Sequence, residues 1–373
     1  MSTDAKTCPV EAQLPCLAHL RAEYCAPSLA PGAPYLAALP ALITGALLFL
    51  AASGLVLAVH YDPAHGFASL QYIAHNVNNG WLVRGFHATG TTLVFGAVFL
   101  LLFRSLYTRA YRAPGQLAWL ISVKLFAFLL LTAYLGYVLT DGAVSYWSLT
   151  DAANAAQSLT GIPGLLGTWF FGGPAGPGTL ARLLVFHAIL ALGAVALVFA
   201  LRSAAKVLAP KATGADAVSF HPAYTAQYFA AFAVFALIFA LLVFFAPHFG
   251  QNPLNASAAN PLIIPAALTP PWYLRPVSAI ASVFPGAYGG IFGVIAALAV
   301  LAATPWLDRS GPHGRPGTLY RILTVLLALD VLGLGLAYSC PSALSSILVT
   351  VTTVWYFLHF LVLTPLVTSL EAE

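Results

Sequence analysis

The stretch GWLVRGFHATGTTLVFGAVFLLLFRSLY, residues 80–107, places one histidine near the beginning of a long apolar run. Between Arg84 and Arg104, His87 is the one side chain that titrates. A run of about 20 apolar residues is long enough to cross the hydrocarbon core of a bilayer as a helix. Because an ionisable side chain inside such a helix is costly without a partner, the stretch predicts a transmembrane helix whose histidine binds something near one membrane face.

The rest of the chain has the same character. Its 373 residues are 60% hydrophobic and only 7% charged, whereas soluble domains carry about 25% charged residues. The composition therefore predicts an all-α integral membrane protein. The net charge of +4 is explained by basic residues in the connections between spans, and we expect no nucleic-acid partner.

Eight apolar runs of about 20 residues predict eight transmembrane helices. They cover residues 37–59, 86–106, 117–139, 181–204, 226–247, 285–304, 319–338 and 345–367. An even number of spans puts both termini on the same side of the membrane. Because basic residues concentrate in alternate connections, the positive-inside rule predicts that this side is the cytoplasm.

Residues 1–35 differ from the rest, because they combine polar residues and prolines without an apolar core. They resemble neither a cleavable signal peptide nor a membrane span, so we expect a cytoplasmic or interfacial lead-in. The segment contains Cys8, Cys16 and Cys25 at irregular spacing. Since thiols stay reduced in the cytoplasm and the spacing matches no metal motif, we expect these cysteines to bind no metal.

Two histidines share one membrane depth. His87 begins the second predicted span and His187 lies near the start of the fourth, and these two spans run in the same direction. Both imidazoles are therefore expected near the outer face. Two imidazoles that face each other across a helical bundle can ligate the iron of a b-type haem from both sides. The alternative is that each histidine only hydrogen-bonds to a neighbouring helix.

Arginines and glycines accompany this histidine pair. Arg84 and Arg182 lie three and five residues before the two histidines, on their outer side, where an arginine can pair with a haem propionate. Gly54 and Gly136 lie in the outer halves of the first and third spans. The missing side chains would let a macrocycle pass close to both backbones, although ordinary helix packing also uses glycine.

Short motifs follow one another along the chain in a specific order. They are GLVLAVHYDP, VNNGWLVRGFHATG, GYVL followed by SYW, RLLVFHAIL, FHPAYT, NASAANPLIIPAALTPPWY and PWLDRS. With these motifs and spacings, nearly the whole chain resembles cytochrome b, the membrane subunit of respiratory and photosynthetic cytochrome bc complexes. The resemblance implies a haem-binding four-helix domain at 36–210 and a C-terminal domain at 211–373 that carries the PPWY outer loop.

The resemblance also implies partners and a location. A cytochrome b works inside a larger, homodimeric complex, so we expect periplasmic redox subunits, a Rieske-type iron-sulfur protein or a cytochrome c or both, on the outer loops. Quinone is a further expected ligand. The implied location is a bacterial-type inner (cytoplasmic) membrane, crossed several times. The chain would then be a subunit of a quinol or cytochrome c oxidoreductase rather than a complete enzyme.

The inner half of the predicted bundle departs from the family pattern. Family members hold two haems, and the two histidines of each ligating span are 14 residues apart. Fourteen residues beyond the outer histidines, this chain has Leu101 and Leu201. We therefore expect one haem b, at the outer, low-potential-type site, and no inner haem. Four further replacements remove glycines beside the inner haem and polar partners of the inner quinone: Pro40, Ser122, Lys206 and Tyr228.

The outer quinone site is altered as well. The family motif Pro-Glu-Trp-Tyr supplies a carboxylate thought to accept a quinol proton, and PPWY has Pro271 in its place. Proline cannot accept a proton. Tyr137, Trp272 and Tyr273 are retained and can still line a pocket. Asp141 is a candidate substitute base, and the alternative is a solvated or helix-capping aspartate.

Three functions from different classes are consistent with these observations. The favoured one is a single-haem electron-transfer subunit of a membrane oxidoreductase complex. The second keeps quinol oxidation at a modified outer site and sends both electrons to extracytoplasmic acceptors. The third is a redox-silent membrane anchor. Haem content separates the anchor from the other two, and quinol-dependent haem reduction separates the first from the second.

Overall fold

The computed structural model describes residues 38–173, 175–205, 224–311, 316–339 and 342–372, with residue 222 and the short segments 28–29 and 218–219. Most of the predicted lead-in, including its three cysteines, lies outside the described residues, as do Lys206 and the predicted domain boundary after residue 210. The lead-in therefore stays a prediction.

Helices form most of the described chain, which confirms the all-α prediction. They are α1 (Leu39–His60), α2 (Gly66–Asn76), α3 (Gly80–Tyr107), α4 (Gln116–Val138), α5 (Ala143–Ser158), α6 (Gly161–Phe171), α7 (Pro177–Ala205), α8 (Thr225–Phe245), α9 (Arg275–Val283), α10 (Gly286–Ala302), α11 (Thr304–Leu307), α12 (Thr318–Ala337), α13 (Ala343–Leu358) and α14 (Thr364–Leu370).

The remaining regular elements are short. One-turn 3₁₀ helices lie at Pro63–His65 and Pro253–Ala256, and a π-helical turn, His359–Leu363, joins α13 to α14. Ser28–Leu29 and Val218–Ser219 form a two-residue antiparallel pair. In hydrocarbon a helix satisfies all its backbone hydrogen bonds internally, so long apolar runs adopt this structure.

Seven described helical segments are long and apolar enough to cross a membrane. They are α1, α3, α4, α7, α8, α12 and the continuous stretch from α13 to α14. The sixth predicted span, 285–304, is the 17-residue apolar helix α10, which α11 follows after a single residue. The protein is thus an integral membrane protein, while the count of eight spans and the side of the termini stay predictions.

The first long helices form the predicted four-helix bundle. α1 packs along α3 and α7, and α4 packs along α7. The C-terminal helices gather around α9, which packs against α10, α12 and α13. They join the bundle where α12 meets α3 and α10 meets α4.

A buried ionic latch ties the two parts together at the end of α3. Arg109 is 4% exposed, and its Nη2 lies 2.5 Å from Glu371 Oε2 and its Nε 3.6 Å from Asp308 Oδ2. Its guanidinium also lies 4.1 Å from the ring centre of Tyr320. Tyr111 Oη donates to Asp308 Oδ2 at 2.7 Å. Paired in this way, a buried charge is tolerated, and the latch holds the loop after α3 to the C-terminal helices.

Candidate functional site

His87 lies in the third turn of α3 and faces α1. Its Nδ1 is 3.1 Å from the backbone oxygen of Leu50 and 3.1 Å from Ser53 Oγ. Since a carbonyl oxygen only accepts, the Nδ1–H group of His87 donates to it. The ring proton is therefore on Nδ1, and the lone pair on Nε2 is the one that can bind a metal.

His187 on α7 is held in the same way from α4. Its Nδ1–H donates to the backbone oxygen of Thr132 at 2.8 Å. The ring centres of His87 and His187 lie 6.2 Å apart, with their planes inclined by 69°. This separation leaves room for one metal atom between two imidazole nitrogens at about 2 Å from each. Donation from the second ring nitrogen to a backbone carbonyl is typical of histidines that ligate metals, so the pair fits a bis-histidine haem iron.

Gly54 and Gly136 each lie against one of these imidazoles. A Cβ on Gly54 would be 2.9 Å from His87 Cε1, and a Cβ on Gly136 would be 2.8 Å from His187 Cε1. From the sequence we expected the glycines to clear space for a macrocycle. In the structure they let the two histidines pack directly on the backbones of α1 and α4, so any larger side chain would displace a ring.

The two arginines have different surroundings. Arg84 is half-buried on α3, one turn before His87 and therefore on nearly the same helix face. Arg182 is exposed, and its Nη1 donates to Gly178 O at 3.1 Å and to Phe171 O at 3.5 Å. It thus holds the turn between α6 and α7. Propionate pairing by either arginine stays a prediction.

The inner half of the bundle contains a packed apolar core at the corresponding positions. Leu101 and Leu201 are 6% and 1% exposed, and Val98 and Val198, next to them on the same helices, are fully buried. All four belong to one hydrophobic cluster with residues of α1 and α4. Ser122, at the expected glycine position, is buried and donates to Ala118 O of its own helix at 2.7 Å.

Of the aromatic residues of the predicted outer pocket, Trp272 and Tyr273 pack on α3 and Tyr137 belongs to α4. Tyr273 is buried and stacks on Phe95, with ring centres 4.3 Å apart and planes inclined by 3°. Trp272 lies edge-on to Tyr273, with 5.8 Å between ring centres, and its buried Nε1–H has no partner among the described protein groups. Tyr137 is buried, with its Oη 3.5 Å from Ser148 Oγ. Burial raises the pKa of the Tyr273 phenol well above its usual value, so this side chain is neutral.

Asp141 lies between α4 and α5 in the chain, and in space it is next to the first turn of α2. Its backbone is left-handed, with φ at 49°, and its side chain lies against Gly66 in the first turn of that helix, where a Cβ on the glycine would be 2.8 Å from Asp141 Cβ. Burial raises the pKa of the carboxyl, and the nearby backbone N–H of Phe67 opposes the shift. The residue that precedes α2 is His65, whose side chain makes no capping hydrogen bond. Capping by Asp141 stays one of the two interpretations of the sequence. A role in proton transfer stays a prediction.

Sequence reasoning missed Ser53, whose hydroxyl is in contact with His87. The signal available was weak, since a serine beside a glycine in an apolar span usually bonds to its own helix. The carbonyl groups of Leu50 and Thr132 could not be identified either, because any residue type supplies a backbone oxygen.

Fold and site together define a class of protein. An all-α membrane protein that brings two histidines together near one end of a four-helix bundle, each with Nε2 available, has the architecture of a membrane-bound b-type cytochrome. The comparisons with known proteins give the particular family.

A family profile described as "Cytochrome b/b6/petB" matches residues 34–203, and one described as "Cytochrome b(C-terminal)/b6/petD" matches residues 258–358. Cytochrome b of Rickettsia prowazekii (strain Madrid E) is 37% identical over 344 residues, which cover 87% of this chain and 85% of the relative. Cytochrome b of Rhodospirillum rubrum is 33% identical over 336 residues, 86% of this chain and 82% of the relative.

A chain of the solved structure of a hyperthermophilic respiratory Complex III is similar along its whole length. The TM-score is 0.86 at 26% sequence identity, and the match covers 97% of this chain and 98% of the other. The chain described here belongs to the cytochrome b/b6 family. Membership implies that it binds haem b and takes part in electron transport.

Proposed function

We propose that this chain is the electron-transfer subunit of a bc-type membrane oxidoreductase complex and holds a single haem b, near the extracytoplasmic face. One observation carries the proposal. At the outer level of the bundle two histidines face each other with ring centres 6.2 Å apart, and at the inner level the corresponding positions are Leu101 and Leu201, both buried in an apolar core.

The side chains at the outer level have defined roles in this proposal. Leu50 O and Thr132 O hold the two Nδ1–H groups, so that Nε2 of His87 and of His187 can bind the iron. Gly54 keeps the space beside His87 free of a side chain, and Gly136 on α4 does the same beside His187. Arg84 and Arg182 are the proposed propionate partners. A haem bound there would carry one electron at a time at the outer end of the bundle.

The inner half offers no equivalent position among its described residues. Leu101 lies 14 residues beyond His87, which is about 21 Å of helix rise. Val98, Leu201 and Ile43, which surround that level, are apolar and nearly or fully buried, and the buried Ser122 bonds only to its own helix. We therefore propose that the family's standard route across the membrane is absent, and with it the inner quinone site and the Q-cycle.

Electron exchange then takes place at the outer face. The outer loop before PPWY presents Leu262, Ile263 and Ile264, which are 92%, 63% and 63% exposed. We assign this apolar surface to docking of an extracytoplasmic redox subunit, a Rieske-type iron-sulfur protein or a cytochrome c. The similarity to a respiratory Complex III supports an assembly with other subunits in a membrane. We further propose that the complex is a homodimer in a bacterial-type inner membrane.

A pyridine haemochrome assay on purified protein tests the ligand assignment. We expect haem in the wild type and complete loss in His87→Ala and in His187→Ala, because each removes one of the two histidines that would bind the iron. His359→Ala is the matched control, since His359 is also a buried membrane histidine but lies between α13 and α14. Haem retained in either ligand variant would contradict the assignment, and a wild type without haem would leave only a redox-silent anchor.

A second candidate function is quinol oxidation at a modified outer site, with both electrons passing to extracytoplasmic acceptors. The stacked rings of Tyr273 and Phe95, together with the buried and unpartnered Nε1–H of Trp272, favour a pocket that can take an aromatic ligand. Anaerobic addition of a short-chain quinol to the oxidised protein tests it. Haem reduction that is slowed in Trp272→Phe would support quinol oxidation, and no reduction would exclude it.

A further inference from the structure

We propose that Ser53 is a positioning residue for His87 and thereby sets the redox potential of the outer site; the inference rests on the proposed function. Ser53 is 6% exposed and lies on α1 immediately before Gly54. No contact to the haem itself is required, since the hydroxyl acts through the axial ligand.

Three short contacts define the arrangement. Ser53 Oγ lies 3.1 Å from His87 Nδ1, and its hydroxyl donates to Leu50 O at 3.0 Å. His87 Nδ1 lies 3.1 Å from the same carbonyl. Because the hydroxyl proton of Ser53 is directed at Leu50 O, the lone pairs of Ser53 Oγ face the N–H group of His87. The histidine proton is therefore shared between a carbonyl and a hydroxyl oxygen.

The two candidate ligands are held differently. His187 Nδ1 donates to Thr132 O at 2.8 Å, and the hydroxyl of Thr132 is turned away, donating to Phe128 O at 2.7 Å. On that side a backbone oxygen makes the bond, and no mutation of a side chain removes it. On the His87 side, one of the two acceptors of the Nδ1–H group is a side-chain hydroxyl. A substitution at Ser53 can therefore change the hydrogen bonding of this histidine.

Hydrogen-bond donation from the second nitrogen makes a ligating imidazole more basic. A more basic axial ligand favours the oxidised iron, so loss of an acceptor at Nδ1 raises the reduction potential. The carbonyl of Leu50 can compensate only in part, because as a helix oxygen it is held by the N–H group four residues further on. Removal of the Ser53 hydroxyl is therefore expected to raise the potential.

Four variants test the inference, with haem content and an equilibrium redox titration measured for each. Ser53→Ala and Ser53→Val remove the hydroxyl, and Ser53→Thr keeps it in nearly the shape of valine. Ser122→Ala is the matched control, since Ser122 is a buried serine in the inner half that bonds to its own helix. We expect Ser53→Ala and Ser53→Val to raise the equilibrium constant for haem reduction about threefold. For a one-electron couple this is a rise of about 30 mV in the reduction potential. Ser53→Thr and Ser122→Ala are expected to match the wild type.

Each outcome is decisive. An unchanged or lowered potential in Ser53→Ala with full haem content overturns the inference, as does an equal shift in Ser122→Ala. If the alanine and valine variants lose haem while the threonine variant keeps it, the hydroxyl is needed to hold the ligand and the positioning role stands. Loss in all three variants overturns it. Absence of haem from the wild type would instead refute the proposed function.

Discussion

The outer and inner halves of the same four helices use opposite solutions to fill the same space. In the outer half, His87 and His187 lie against glycines and donate to backbone carbonyls. In the inner half, Leu101 and Leu201 pack into a core that excludes solvent. Under the proposed function, close packing replaces a cofactor level without a change of fold, and the ligand set rather than the bundle determines that this chain holds one haem.

The largest expected effect concerns the glycine side of this comparison. In Gly54→Val the added side chain would collide with His87, because even its Cβ would be 2.9 Å from Cε1. We expect loss of most of the haem, measured by pyridine haemochrome. Gly45→Val, in the inner half of the same helix, is the control, since a Cβ there meets no atom within 4 Å. Equal haem content in the two variants would contradict the geometry of the outer site.

The ionic latch is the strongest expected contribution to stability at the inner end. Arg109→Ala leaves the carboxylates of Asp308 and Glu371 without their cationic partner in a buried position. We expect a loss of about 3–5 kcal/mol in the free energy of unfolding, because an uncompensated buried charge is costly. Thermal unfolding in detergent measures it, and haem content at low temperature should stay that of the wild type.

Core packing at the inner level gives the next effect. Leu201→Ala would create a cavity beside Val198, within the buried apolar cluster, at an expected cost of about 2–5 kcal/mol. Leu100→Ala, whose side chain is 45% exposed in the isolated chain, serves as the control with a much smaller change. If Leu201→Ala left the free energy of unfolding unchanged and the variant bound a second haem, the inner half would be a cofactor site and not a packed core.

The smallest effect is expected at Asp141, where capping and proton transfer make different predictions. Asp141→Asn keeps an acceptor for the N–H group of Phe67, so stability should stay close to that of the wild type, whereas Asp141→Ala should lose about 1 kcal/mol. Burial raises the pKa of this carboxyl, so the folded state favours its neutral form. Its contribution therefore falls as the pH rises through the usual aspartate range, and the asparagine variant should lack this pH dependence.

Much of the fold could be predicted from the sequence, because hydrocarbon leaves a long apolar run little choice but a helix. The shared depth of His87 and His187 followed from the direction of their spans, and the structure brings their rings together. The predicted sixth span, 285–304, is longer than the helix in the structure, since α10 ends at Ala302 and the separate short helix α11 follows.

Other features could not be predicted, because they depend on residues far apart in the chain. The latch joins Arg109 to Glu371 across 262 positions, and nothing local marks either residue as a partner of the other. The contact between Ser53 and His87 requires the register of α1 against α3, which an apolar pattern does not specify. The proximity of Asp141 to Gly66 of α2 depends on how two distant segments pack, and no local pattern specifies it.

The most direct test of a single-haem bundle is the number of haems per polypeptide in the purified wild type, combined with an optical redox titration of the same sample. We expect one haem b per chain that titrates as a single one-electron component. Two haems per chain, or two components of equal amplitude, would contradict it, because the packed inner half would then have to hold a second cofactor.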